Sequence, residues 1–336
     1  MNSLKTKYMG ISLENPIILG ASNLTSDLDN LKKAEELGFA AIIYKSLFEE
    51  QIQLERLQLD EKLTEFNDIY AEMLTTHPHL EYSCYDDHLF HLREAKENLS
   101  IPVFASLNAV NDDTWITYAR LLAETGVDGI ELNFYKTPMD HNKTAEQIEK
   151  EQIQIVKTIK QNITIPVSIK LSTDYTNILN HIKNLDLIGA DAVVLFNSFF
   201  QPDIDIHEEK HIKSFNFSHE GDYKKSLRYS GLLFGKIEAD ICSSHGIFSG
   251  ADIIKLILSG SSSVQLVSAI YKNGLGHIKT IRNEIEEWMD LKNYNSIDDF
   301  RGKLSNMKMS DTMNVYKRAQ YVDLLINSED IFGVNR

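Results

Sequence analysis

The sequence predicts a single (β/α)8 barrel, and three observations predict it. Short apolar runs rich in β-branched residues recur eight times, stretches of helical period separate them, and glycine closes several of those stretches just before the next run. At 336 residues the chain is long for an ordinary domain but suits one barrel.

The runs are Ile17 to Ala21, Ala40 to Lys45, Val103 to Leu107, Gly129 to Phe134, Val167 to Leu171, Ala192 to Phe196, Asp240 to Ser244 and Val264 to Ala269. Each is apolar almost throughout, as parallel strands covered on both faces are. Helices are expected over Asp27 to Leu37, Asp112 to Glu124, Ala145 to Lys160 and Ala251 to Leu258. Gly38, Gly126 and Gly189 read as helix stops that feed the next strand. Eight rounds of this pattern fit a closed barrel better than an open doubly wound sheet.

Two connections exceed a simple crossover, Leu47 to Tyr82 after strand two and Phe199 to Tyr223 after strand six. Both leave the C-terminal end of a strand, where barrel sites are built, so they are candidate pocket walls or lids. The barrel is expected to take residues 1–290, with 291–336 as a C-terminal helical extension of the same domain.

A net charge of -15, without a basic stripe interleaved with aromatics, argues against nucleic acid. No run of about 20 apolar residues could span a bilayer and the N-terminus has no signal-peptide core, so the expected location is cytoplasmic, away from membranes. Cys84 and Cys242 are too few for a disulfide framework and lack the spacing of an iron–sulfur site; Cys242, in a buried strand, reads as a core residue. His207, His211 and His219 match no compact ligand motif, and no metal is expected.

Polar residues at the C-terminal ends of barrel strands converge on one mouth. Strand one ends in Ala21-Ser22, strand two in Lys45-Ser46, strand three in Asn108, strand four in Glu131-Leu132-Asn133, strand five in Lys170 and strand six in Asn197-Ser198. Two lysines and three asparagines aimed at one mouth call for a polar ligand, because buried amides and ammoniums are costly without partners. After strand seven come Ser244-His245-Gly246-Ile247 and Ser249-Gly250, and strand eight ends at Ser268-Ala269. Loops in these two rounds commonly hold phosphate through backbone N–H groups at a short helix N-terminus.

These residues carry a resemblance. Leu13-x-Asn15-Pro16 leading into Ala21-Ser22, Lys45-Ser46, Gly129-Ile130-Glu131-Leu132-Asn133, Val167-Ser168-Ile169-Lys170, Asn197-Ser198, and Gly246-Ile247-x-Ser249-Gly250 followed by Val264-Gln265 stand in the order found in class 1 dihydroorotate dehydrogenases. The chain resembles most the dihydroorotate dehydrogenase-like proteins that lack the catalytic Cys, from Leu13 to about Gly276. That implies an FMN lying across the mouth near Ala21, Ser22, Lys45, Ser46, Asn108 and Asn133, with Lys170 at its N1/O2 edge. It implies a ribityl and phosphate site at Gly231, in a Tyr229-Ser230-Gly231 turn, with Ser244, His245, Gly246 and Ser268. A small substrate would meet Lys45, Asn133, Asn197 and Ser198, and the protein would be a homodimer in pyrimidine metabolism.

The departures matter equally. The family's Asn-Leu-Ser-Cys-Pro-Asn, whose Cys is the base, reads Asn133-Phe134-Tyr135-Lys136-Thr137-Pro138 here. Its double glycine is His245-Gly246, and its Gly-Thr is Val267-Ser268. The expectation is therefore an FMN-dependent oxidoreductase for a small polar substrate other than dihydroorotate, with Tyr135 or Lys136 as proton donor or acceptor beside Lys170. Two other readings stand: a flavin-free barrel for a phosphorylated metabolite, acting as lyase or isomerase through Lys45 or Lys170, and a catalytically silent subunit.

Overall fold

In a computed structural model of the chain the described residues are 3–50, 84–135, 138–198, 201–212 and 217–309, with 316, 322 and 326 beyond them. The chain opens with an antiparallel hairpin, β1 (Thr6–Tyr8) and β2 (Ile11–Leu13). There follow β3 (Ile17–Leu19), α1 (Leu28–Leu37), β4 (Ala41–Ile43), a short β5 (Leu47–Phe48), α2 (Cys84–Asn98), β6 (Val103–Asn108), α3 (Asp112–Ala123) and β7 (Gly129–Asn133). Then come α4 (Ala145–Asn162), β8 (Val167–Leu171), α5 (Ile178–Leu187), β9 (Ala192–Leu195) and a small hairpin of β10 (Asp203–Asp205) and β11 (Lys210–Ile212). The described elements end with α6 (Lys224–Leu233), β12 (Asp240–Ser244), α7 (Gly250–Ser259), β13 (Ser263–Leu266), α8 (Ser268–Asn273) and α9 (His277–Lys292).

Parallel pairing runs β4, β3, β13, β12, β9, β8, β7, β6, and the β4–β6 pairing closes the ring. All eight expected runs supply its strands, although the last, Val264 to Ala269, leaves the strand after Leu266 and opens α8 at Ser268; the closed barrel replaces the open sheet. Local sequence explains the elements. Asp27 accepts from the Asn30 N–H at 3.0 Å to start α1, and Gly38 ends it at φ 103, a conformation that disfavours side chains. Thr144 with Gln147 forms a capping box on α4, and Ser249 with Asp252 does so on α7.

Strand alternation sorts the side chains into two sets. Ile17, Leu19, Ile42, Val103, Ala105, Ile130, Leu132, Ile169, Val193 and Val264 face the helices in one large core. Ile18, Ile43, Phe104, Val194 and Cys242 face inward with Tyr8 and Met9. The β1–β2 hairpin, which the sequence pattern did not announce, plugs the N-terminal end of the barrel. Met9 reaches to 3.0 Å from where a Cβ on Gly129 would stand, and Tyr8 meets Phe104 edge-on at 5.4 Å. Burial pushes the Cys242 thiol up to about 12, which keeps it inert as a core residue; the Cys84 side chain lies outside the described set.

The long connection after strand two falls mostly outside the described residues, and the one after strand six holds the β10–β11 hairpin. Of the expected C-terminal helical extension, residues 291 and 292 close α9 and 322 and 326 are helical, while the described stretch after α9 is not. Residues 293–309 form turns with one 3-10 segment, Ile297–Asp299, because Gly302 and Leu304 give their N–H groups to the last turn of α7 (Ile257 O and Leu258 O, both 2.8 Å). Among the described residues no helix is long and apolar enough to cross a membrane.

Candidate functional site

The strand register aims a set of polar side chains up the barrel axis. Asn133 pairs with Lys170, Lys170 with Val194, and Ser244 with Gln265, so Asn133, Lys170, Ser244 and Gln265 all follow the inward parity at the C-terminal ends. Glu131, two residues before Asn133, shares that face one layer deeper.

Three of these residues make the floor of the mouth. Lys170 Nζ donates to Gln265 Oε1 at 3.0 Å and lies 3.5 Å from Glu131 Oε1, while Gln265 Nε2 donates to Glu131 Oε2 at 2.5 Å. Glu131 is 0% exposed, Gln265 1% and Lys170 7%. Stripping water from two such ions costs several kcal/mol each, and only close pairing with further hydrogen bonds recovers it. The Gln265 amide supplies those bonds, presenting its oxygen to the ammonium and its nitrogen to the carboxylate.

Further predicted residues lie at or just beyond the C-terminal ends of the strands. Asn197 Nδ2 donates to Asn133 Oδ1 at 2.7 Å, and Ser46 and Ser106 share a hydroxyl hydrogen bond of 2.7 Å. Asn108 is buried with its Nδ2 lacking a partner among the described residues, and so is the Ser22 hydroxyl. Lys45 is half-buried and pairs with no carboxylate among the described residues. Burial and the Lys45 ammonium together hold His88 down to about 4.

Ala21, Lys170, Asn197, Ser198, Ser244, His245, Gly246 and Ser268 come together around one hollow of about 170 Å³. Two more adjoin it, of about 190 and 640 Å³, and Ser198 and His245 line all three. His245 holds φ 73 and Gly246 φ 71. A Cβ on Gly246 would fall 2.5 Å from Asp222 Cβ and 2.6 Å from Tyr223 N, so only glycine fits there. His245 Nε2 lies 3.5 Å from Asp222 Oδ2; burial lowers the imidazole pKa and Asp222 works against that.

Some expectations do not meet at the mouth. Gly231 is not in a turn but inside α6, where the Tyr316 hydroxyl stands 1.8 Å from an ideal Cβ, so it lines none of the three hollows. The N-terminus of α7 holds its own anions: Asp252 accepts from Phe248 N and Ser249 N at 3.2 Å, and Glu284 accepts from Gly250 N at 2.6 Å. The amides of Gly246 and Ile247 meet no acceptor among the described residues, and Ser268 Oγ accepts from Ser218 N at 3.1 Å. Tyr135 lines a separate cavity of about 470 Å³ with Trp115, Phe134 and Met139. Lys136 lies outside the described residues. Among the described residues no three His, Cys, Asp or Glu side chains stand where they could hold a metal, and His207 and His211 are exposed near the outer hairpin.

Sequence reasoning passed over Glu131, Gln265 and Asp222 as site residues. The first two were within reach, since a charged and an amide residue inside buried strands, on the inward parity, need partners. Asp222 carries no such signal; only the fold brings it under His245.

A closed parallel barrel with amides, hydroxyls and a lysine gathered at its C-terminal mouth defines a protein of the α/β-barrel class that builds small-molecule sites from strand ends. A profile of the dihydroorotate dehydrogenase family matches residues 78–289, and the chain belongs to that family. It is 26% identical over 307 residues to the dihydroorotate dehydrogenase B (NAD(+)) catalytic subunit of Thermoplasma volcanium, covering 90% of this chain and 98% of that protein. It is 24% identical over 298 residues to the corresponding subunit of Methanocaldococcus jannaschii, covering 86% and 94%. It is also 21% identical over 329 residues to the chloroplastic dihydropyrimidine dehydrogenase (NADP(+)) of Arabidopsis thaliana, covering 89% and 76%.

Proposed function

We propose that the chain is an FMN-dependent oxidoreductase that moves a hydride between a CH–CH group of a small polar substrate and the flavin, and that this substrate is not dihydroorotate. The observation that carries the reading is Lys170, a buried ammonium anchored at the floor of the mouth by Gln265 and Glu131. A fixed positive charge at a ring edge favours the reduced, anionic flavin over the oxidised one.

The residues present fit that cofactor. The unpartnered Asn108 Nδ2 and the Asn133 amide offer polar contacts for the ring, and the Gly246 and Ile247 amides with Ser268 offer a phosphate cradle. When bound, the flavin supplies the hydride acceptor or donor. Asn133 and Asn197 orient the substrate, Ser198 meets it, and Lys45 adds a half-buried cation. A place in pyrimidine metabolism and the homodimer that the resemblance implies belong to the same proposal.

The Lys170 nitrogen is committed to two partners, which argues against Lys170 as a Schiff-base nucleophile in a flavin-free lyase or isomerase. The test is purification without added cofactor, followed by extraction and a fluorescence titration with FMN. Yellow protein releasing FMN, or quenching on titration, is expected. Colourless protein that leaves FMN fluorescence unchanged overturns the reading.

A further inference from the structure

We propose that Glu131 is a positioning and charge-compensating residue that sets the flavin potential through Lys170, an inference that rests on the flavin reading above. Glu131 touches neither hollow nor solvent: it is 0% exposed and lies beneath the mouth on β7. Its oxygens are divided between the two groups that make the floor, Oε1 toward Lys170 Nζ at 3.5 Å and Oε2 accepting from Gln265 Nε2 at 2.5 Å. β7 and β13 stand on opposite sides of the ring, with β8 next to β7, so Gln265 reaches across the axis to complete the triangle.

This geometry has two consequences. The ammonium donates to Gln265 Oε1 and stands 3.5 Å from the carboxylate as an ion pair, so both of its protein partners lie below it. The carboxylate also offsets most of the charge, so a ring at the mouth meets the positive end of a dipole and not a bare cation. Removing the carboxylate should therefore favour the reduced flavin, and removing the ammonium should disfavour it. Removing both restores a neutral floor.

The experiment is a double-mutant cycle of Glu131→Gln and Lys170→Met, read in two ways. In the flavin-loaded protein, Glu131→Gln should strengthen binding of reduced over oxidised flavin at least tenfold, which raises a two-electron midpoint potential by about 30 mV. Lys170→Met should shift it by a similar factor in the opposite sense, and the double variant should return near the wild-type value. In flavin-free protein, followed by urea unfolding, each single variant should raise the unfolded-to-folded ratio roughly a hundredfold, because a lone charge stays buried, and the double variant by less than the worse single. Midpoint potentials that ignore Glu131→Gln, or single effects on unfolding that simply add, overturn the proposal. If the wild-type protein binds no FMN, the flavin reading fails and takes the potential with it, while the unfolding cycle still decides whether the two charges act as a pair.

Discussion

Asn197, just beyond β9, donates its side-chain amide to Asn133 Oδ1 at the end of β7 over 2.7 Å, spanning the β8 strand that carries Lys170 between them. The bond fixes which face each amide turns to the mouth, since Asn133 accepts with oxygen and so presents its nitrogen elsewhere.

Asn197→Ala and Asn133→Ala should each lower stability by about 1 kcal/mol, the usual worth of a partly buried hydrogen bond. Since both remove the same bond, the double variant should cost no more than the worse single. Urea midpoints at constant m-value measure this, and doubled losses would show that the two side chains act independently.

His245 stands in the corner where the family keeps glycine, at φ 73, with its imidazole in all three hollows. His245→Gly relieves left-handed strain of roughly 1 kcal/mol and widens that corner, while glycine's freedom in the unfolded chain returns a similar amount. Stability should therefore change by less than about 1 kcal/mol, and FMN should bind more tightly in a fluorescence titration. Weaker binding would show that the imidazole is a ligand and not an obstruction.

The barrel was legible because apolar periodicity, caps and glycine stops all pointed to it, from Asp27 at the start of α1 to Gly38 at its end. Much of the mouth was legible as well, since strand ends converge in any barrel and Lys170, Asn133 and Asn197 sit at them. What escaped depends on contacts between distant segments. Gly231 read as a turn residue because its neighbours Tyr229 and Ser230 suit a turn, yet α6 carries it and Tyr316 covers it. The α7 N-terminus read as an open anion site, but Glu284, thirty-four positions from Gly250, closes it. The β1–β2 plug is too short to show a period.

His181 on α5 is fully buried, stacked on Tyr175 at 4.9 Å, and neither ring nitrogen has a partner among the described residues. Burial lowers its pKa from 6.5 to about 4. Between those values the unfolded chain binds the extra proton and the folded one does not, so stability rises with pH through this window. It should be complete above about pH 6.5 and fall by roughly 3 kcal/mol on the way to pH 4. His88 titrates over the same range, so the comparison is with His181→Leu. The variant should lose less stability between pH 7 and pH 4.5 than the wild type in thermal melts, and parallel losses would exclude His181 as the source.

Dihydroorotate should be a poor substrate or none, despite the family. Its oxidation needs a base opposite the flavin to take a carbon-bound proton, and a positioned base is worth roughly 10²–10⁴-fold in rate. The stretch from Asn133 to Pro138 has no Cys to serve, and Tyr135 lines the cavity of Trp115 and Met139, which shares no residue with the Lys170 hollow. A free lysine side chain is an ammonium at neutral pH and gives a proton more readily than it takes one, so a lysine at the position of the family's Cys suits reduction of an activated double bond better than dehydrogenation. The second Asn of the family motif is missing too, so an orotate-like ring loses a contact even where Asn133, Asn197 and Ser198 remain. Anaerobic mixing of oxidised, FMN-loaded protein with excess dihydroorotate tests this by flavin absorbance. The absorbance should persist for minutes, and bleaching within seconds would mean that a base has been overlooked at this mouth.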